Sequence, residues 1–352
     1  MTLSRSLRTV TDLVEAGLVK ETDAPKLEPV AQHYAVGLTA DVATLINPQD
    51  VSDPIALQYV PHPDELVTTP EERSDPIGDA AHSPVEGIVH RYPDRVLLKA
   101  VHVCPVYCRF CFRREMVGPQ GLGTLEPPAM AAAMDYIRAH PQIWEVILTG
   151  GDPLVLSPRR LGEMMEQLAT VPHVKIVRFH TRVPVVDPSK IDDTLIENLK
   201  KAGKTLYVAL HANHPRELTE KAREACARLI DAGIMMVSQT VLLKGVNNDV
   251  EVLSDLMRAF VENRIKPYYL HHPDLAPGTS RFRLSLEEGQ RLVESLRGHL
   301  SGLCQPDYVL DIPGGYGKAP LMSKTATRNS DGSYTITDYH RRAHTYPPSK
   351  LD

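Results

Sequence analysis

From Arg95 onward, short apolar runs alternate with longer amphipathic ones. The short runs predict strands over 96–103, 144–150, 174–181, 205–212, 234–242 and 267–272. The runs between them carry apolar residues at helical spacing and predict helices near 127–139, 158–169, 190–202, 216–232, 249–263 and 285–300. Alternating β and α signals call for a parallel sheet with crossover helices, either doubly wound or barrel-shaped. Polar residues separate the two. Cys104, Asp152, His211, Asn213, Gln239, His271 and Asp274 all fall at or just beyond strand C-termini. A barrel mouth gathers that many strand ends at one place, so an incomplete barrel is expected. A last strand, 307–312, runs into Pro-Gly-Gly-Tyr-Gly-Lys, and the tail TRNSDGSYTITDY predicts a hairpin turning at Asp331-Gly332.

Ahead of the alternation the pattern changes. Leu3, Leu7, Val10, Leu13, Val14 and Leu18 recur at helical spacing, and a second apolar run covers 36–46. Pro61, Pro63, Pro70, Pro76 and Pro84 then mark an extended, irregular connection. This divides the chain into an N-terminal helical and proline-rich extension (1–84), a barrel (85–303) and a C-terminal segment (304–352). The 352 residues allow one large α/β domain with additions. No apolar run reaches the ~18 residues of a membrane span. The N-terminus has no secretory pattern. With 39 basic against 44 acidic residues and no basic block, no nucleic-acid footprint is present. Five cysteines cannot make a disulfide scaffold, which points to the reducing cytoplasm.

Three of those cysteines lie in Cys104-Pro-Val-Tyr-Cys108-Arg-Phe-Cys111, directly after a predicted strand. Thiolates suit zinc, copper(I) or iron–sulfur clusters. Three of them would leave one iron of a [4Fe–4S] cluster without a protein ligand, where a small molecule can coordinate and receive an electron. Structural zinc, a four-cysteine electron carrier and unrelated thiols are the competing readings. Zinc wants a fourth ligand at short spacing, and Cys226 and Cys304 supply no second motif. The loop, with Tyr107 and Phe110 beside its cysteines, resembles the radical S-adenosylmethionine superfamily. Thr149-Gly150-Gly151-Asp152-Pro153, one strand on, resembles that superfamily's segment for the methionine amino group. An ordinary glycine turn is the plainer alternative. The resemblance implies a partial (β/α)6 barrel and places S-adenosyl-L-methionine near Gly150, Gly151, Asp152 and His211.

Lys318 stands in Asp311-Ile-Pro-Gly-Gly-Tyr-Gly-Lys318-Ala. A phosphate-binding P-loop would need Gly at 312 and Ser or Thr at 319, where the chain has Ile and Ala. A lysine on a flexible turn can instead carry an aldehyde cofactor as a Schiff base. Taken together, His90-Arg91-Tyr92-Pro93-Asp94-Arg95, CRFCFRR, TGGDPL, HANHP and the Pro-Gly-Gly-Tyr-Gly-Lys turn resemble the lysine 2,3-aminomutase family over about residues 85 to 323. By that resemblance Lys318, the catalytic lysine, holds pyridoxal 5'-phosphate, with Arg91, Tyr92, Arg95 and Gln239 around it. Arg113 would bind the carboxylate of L-lysine, and Asp274 and Asp311 its ε-ammonium.

The resemblance further implies an isomerase. A 5'-deoxyadenosyl radical would take hydrogen from C3 of lysine, nitrogen would move from C2 to C3, and hydrogen would return. An external one-electron reductant such as flavodoxin or ferredoxin would serve the cluster. The short relatives that supply β-lysine to elongation factor P share the motifs but tend to lack the second acid. Asp311 therefore favours a free-lysine enzyme of lysine metabolism, with the elongation-factor-P β-lysylation role second. A non-catalytic iron–sulfur or zinc protein is the reading from another class, and it has no use for Lys318. Product enantiomer, acceptance of arginine and assembly as a homo-oligomer stay open.

Overall fold

A computed structural model describes residues 5–118, 123–322, 326–331, 333–337 and 342–346. Four short helices come first: α1 (Val10–Glu15), α2 (Ala24–His33), α3 (Ala40–Ala43) and α4 (Pro54–Tyr59). One sheet then takes nine strands in chain order. They are β1 (Ile88–Tyr92), β2 (Arg95–Val101), β3 (Glu145–Gly150), β4 (Ile176–Thr181), β5 (Thr205–His211), β6 (Met235–Val241), β7 (Lys266–His271), β8 (Asp307–Ile312) and β9 (Gly317–Pro320). β2 to β8 run parallel, while β1 and β9 add antiparallel strands at the two ends. Crossovers are made by α5 (Pro127–Ala139), α6 (Pro158–Ala169), α7 (Val183–Val186) with α8 (Asp193–Lys200), α9 (Glu220–Asp231), α10 (Val250–Glu262) and α11 (Leu286–Leu296). Among the described residues β1 and β9 do not pair, so the barrel is open. This is the partial barrel expected from the alternation.

Local chemistry explains the elements. In α6, Ser157 caps the first turn by accepting from Arg160 N–H, Pro158 fills N1, and Leu161, Met164, Met165 and Leu168 face the sheet. Thr219 and Asp249 cap α9 and α10 in the same way. Every residue of β3 is buried, as a central parallel strand covered on both faces requires.

Elsewhere the structure departs from the hydrophobic pattern. Thr9 and Asp12 form a capping box that starts α1 at Val10, so Leu7 lies outside the helix and bridges to Leu38. Leu3 is outside the described residues. The run 36–46 yields only α3, which Thr39 caps. Lys318 sits on β9 rather than on a flexible turn, directly opposite Asp311 in the register. In the tail, β10 (Ala326–Arg328) and β11 (Tyr334–Thr337) form the expected hairpin, and β12 (Ala343–Tyr346) adds a third strand. Gly332 of that turn is outside the described residues. Among the described residues no helix is long and apolar enough to cross a membrane.

One apolar core runs from Leu7 to Tyr308 and joins the N-terminal helices to the barrel. Those helices clamp the cysteine loop. Tyr107 N–H donates to Gly37 O at 3.0 Å and Arg109 N–H to Gln58 O at 2.8 Å. A Cβ on Gly37 would stand 2.8 Å from the Tyr107 ring. Glu65, from the proline-rich segment, is fully buried and accepts from Arg109 Nη2 at 2.6 Å and from Arg114. Breaking a buried pair strands a charge and costs roughly 3–5 kcal/mol. We therefore expect Glu65→Gln to lower the thermal midpoint by several degrees and to reduce iron bound per chain, both measurable on the purified protein.

Candidate active site

Cys104, Cys108 and Cys111 follow β2 and close a tight turn, with Cys111 N–H donating to Cys108 O at 3.2 Å. Burial raises all three thiols: Cys104 well above its ordinary value, Cys108 to about 11, and Cys111 in the same direction. Neutral, desolvated thiols become thiolates when a cationic metal centre supplies the compensating charge. Among the described residues, no three His, Cys, Asp or Glu groups converge as they would around a single ion.

The next strand end is pressed against this loop. Gly150 adopts φ +109°, and a Cβ there would lie 2.4 Å from Val101 O. One on Gly151 would lie 2.3 Å from Val103 O. Only glycine allows this approach, which lets Gly151 N–H donate to Val101 O at 2.5 Å and Asp152 N–H to Val103 O at 3.1 Å. Asp152 is buried, and its carboxylate accepts from Thr181 Oγ1, Arg182 N–H and Leu154 N–H. Burial raises its pKa against the pull of those bonds. It thus also caps the turn that follows β3.

Across the mouth, Lys318 Nζ bonds both oxygens of Asp311, at 2.8 and 3.0 Å. Tyr92 Oη accepts from Lys318 N–H at 2.8 Å, and the Arg95 guanidinium stacks 3.9 Å from the Tyr92 ring. Burial alone would raise the pKa of Asp311. The His271 hydrogen bond and the Lys318 ammonium outweigh it and hold the carboxyl well below the usual range. Asp274 behaves oppositely. Burial first, then the charge of Asp311, push it up to about 7, against the pull of Lys318 and Arg113.

A chain of hydrogen bonds runs around the strand ends. Gln239 takes His211 Nε2 on its oxygen (3.3 Å) and meets His271 Nε2 with its nitrogen (3.2 Å). His271 Nδ1 lies 3.4 Å from Asp311. Since Gln239 Nε2 can only donate, His271 Nε2 accepts and Nδ1 carries the proton toward Asp311. Burial keeps both rings neutral, with His211 pushed down to about 3.

All fifteen residues singled out in the sequence for the cofactors, cluster and substrate line one cavity of about 270 Å³. Asn213 is the exception among the strand-end polar residues. It is fully buried and serves the scaffold, bonding Gln58, Val241 and Glu217. Sequence reasoning missed His180, whose buried Nε2 has no partner at the cavity wall. Its place at the end of β4 was the available signal. It also missed Asp79, which pairs Arg91 and Arg113 at 3.1 and 2.7 Å, and Glu217, which holds Arg182 at 2.6 Å. Asp79 lies in the irregular proline-rich segment and gave no signal, while Glu217 closes the short helical turn Pro215–Glu217, at the edge of the helix predicted over 216–232. Six cationic and three acidic side chains line the cavity, so it suits ligands rich in phosphate and carboxylate.

An open barrel with a three-cysteine loop at its mouth defines a radical SAM enzyme, and the Radical SAM superfamily profile matches residues 98–257. Among curated proteins, the chain is 39% identical to L-lysine 2,3-aminomutase of Clostridium subterminale, over 90% of this chain and 77% of that one. It is 34% identical to the Bacillus subtilis L-lysine 2,3-aminomutase, over 98% and 73%. Glutamate 2,3-aminomutase of Clostridioides difficile follows at 35%, over 91% and 75%. The chain belongs to the lysine 2,3-aminomutase family. It is an isomerase that uses a [4Fe–4S] cluster, S-adenosyl-L-methionine and pyridoxal 5'-phosphate. The residues present fit these groups: three half-buried, desolvated thiols in one turn, a lysine on the wall, and buried Arg91 and Arg113 Nε atoms without partners.

The contact between the glycine pair and the cysteine loop makes a test. Gly151→Ala would press a methyl into Val103 O, an overpacking worth about 1–3 kcal/mol. We expect a lower unfolding temperature and weaker S-adenosyl-L-methionine binding by equilibrium dialysis, with pyridoxal phosphate binding retained.

Proposed function

We propose that the chain interconverts L-lysine and β-lysine, moving the amino group from C2 to C3. The observation that carries this is Asp311, whose carboxylate already pairs an alkylammonium, that of Lys318, at 2.8 Å. A lysine side chain ends in the same group. Asp274 lines the cavity with Asp311 and supplies the second acid. Burying an ammonium is costly unless it is paired, so two acids here favour a cationic side chain. The side-chain carboxylate of glutamate would instead face two like charges.

In this reading Arg113 takes the substrate carboxylate, since a guanidinium can hold it with two parallel bonds. Arg91 and Arg95 face the phosphate of pyridoxal phosphate, and Lys318 is its attachment point. Tyr92 and Gln239 also border pyridoxal phosphate, and His211 borders S-adenosyl-L-methionine, beside Gly150, Gly151 and Asp152. Cys104, Cys108 and Cys111 hold the cluster. When bound, the cluster and S-adenosyl-L-methionine supply reversible hydrogen abstraction, and pyridoxal phosphate supplies the conjugated ring that stabilises the migrating nitrogen. The protein positions and shields. His271 keeps its Nδ1 proton on Asp311, so that carboxylate stays ionised and oriented. The cavity inside the barrel shields reactive species from bulk water. A flavodoxin- or ferredoxin-type donor supplies the electron. Retention of Asp311 favours free lysine over a role tied to elongation factor P.

The test is steady-state conversion of lysine under anaerobic, reducing conditions. Loss of one buried acid strands the ammonium, so Asp311→Asn should lower kcat/KM for lysine about a hundredfold or more. The pH profile adds a second signature. Asp274 must be ionised to pair the substrate, and its carboxyl is raised to about 7. Thus kcat/KM should fall about tenfold per pH unit below that value and level off above it. Asp274→Asn should lower the plateau and abolish the inflection. If both asparagine variants convert lysine like the parent, these acids do not recognise the side chain.

A further inference from the structure

Asp79 lies in the proline-rich segment between α4 and β1, outside every helix and strand of the barrel. Its side chain is 3% exposed. Oδ1 accepts from Arg91 Nη2 at 3.1 Å, and Oδ2 accepts from Arg113 Nη2 at 2.7 Å. Arg91 belongs to β1 and Arg113 to the cysteine loop, so one buried anion joins two cations from separate elements. The Ile77 carbonyl holds Arg91 a second time, at 2.7 Å. Both guanidinium groups line the cavity, and each keeps a buried Nε that has no partner.

The segment carrying Asp79 is itself fixed. Asp79 N–H donates to Asp75 Oδ1 at 2.9 Å. Gly78, at φ +67°, packs so closely on the Gly314-Gly315 turn that a Cβ would stand 2.5 Å from Gly315 N. His82 Nε2 lies 2.9 Å from Gly315 O. The same few residues therefore touch the turn that leads to Lys318 and both arginines.

We propose that Asp79 is a positioning residue that sets the spacing and orientation of Arg91 and Arg113, making them a paired receptor for a phosphate and an amino-acid carboxylate. This rests on the roles given to those two arginines above. Two effects oppose each other when Asp79 loses its charge. The cavity becomes more positive, which attracts anions. The arginines also lose their common anchor, repel one another and turn away from the ligand directions. Orientation dominates, because a planar guanidinium binds an anion well only when its donors point at it.

The experiment compares Asp79→Asn with the parent enzyme carrying cluster and pyridoxal phosphate. Iron content reports on folding. Fluorescence titration of the cofactor-depleted protein gives the Kd for pyridoxal phosphate, and steady-state assays give KM and kcat for lysine. Loss of a charge-assisted bond predicts that Kd and KM each rise about tenfold or more, while kcat changes far less. Unchanged or tighter binding of both would overturn the proposal. Asp79→Glu keeps the charge but misplaces it. It should also raise both constants if Asp79→Asn fails to load iron, and parent-like values would again overturn the proposal. In an Arg113→Lys background, Asp79→Asn should have little further effect on KM. If Arg113→Lys alone leaves KM unchanged, the carboxylate role of Arg113 fails. If Arg113→Lys raises KM and Asp79→Asn does not, only the positioning role fails.

Discussion

The Asp311 carboxylate lies 2.8 Å from the Lys318 ammonium and 3.4 Å from the His271 ring, held between two neighbouring strands. An antiparallel register sets the first contact, because Asp311 and Lys318 face each other across β8 and β9. The second begins a chain that passes from His271 on β7 to Gln239 on β6 and His211 on β5. Four adjacent strands thus contribute one link each. The amide of Gln239 gives the chain a direction, and with it the tautomers of both histidines. The groups assigned to S-adenosyl-L-methionine and those assigned to the substrate side chain lie at its two ends.

Placing so many charges at one barrel mouth creates a physical problem that the segments outside the barrel solve. A buried guanidinium without a partner is costly. Glu65 answers Arg109 and Arg114, Asp79 answers Arg91 and Arg113, and Glu217 with Tyr59 answers Arg182. Two of these three acids come from the proline-rich segment. Irregular backbone suits the task, because it can bring a carboxylate to a point that no helix or strand of the barrel reaches. The cysteine loop is consequently held on one side by the barrel and on the other by residues 34 and 44 positions earlier.

The βα alternation was legible because parallel strands buried on both faces read as continuous apolar runs, and α5 and α6 match their predicted spans of 127–139 and 158–169. Cys104, Cys108, Cys111 and Lys318 were legible because chemistry restricts their spacing. β1 and β9 were not. Each is short, adding an antiparallel strand to β2 or to β8, and the two meet through Tyr92 Oη accepting from Lys318 N–H at 2.8 Å, a contact across 226 residues. Asp79 and Glu65 were also invisible, because an acid in a loop looks the same whether it meets water or a buried arginine. The helix expected from Leu3 to Leu18 was shortened by a local signal, the Thr9–Asp12 capping box, that periodicity alone overlooks.

The central claim is that this cavity moves the amino group of lysine from C2 to C3. Supplying the anaerobic, reduced enzyme with L-lysine labelled with nitrogen-15 at the α-position tests it most directly. The account predicts β-lysine with the label on C3, visible by NMR as a carbon-13 to nitrogen-15 coupling at that carbon, and no comparable product from glutamate. Conversion of glutamate in preference to lysine, or β-lysine formed without the label, would contradict it.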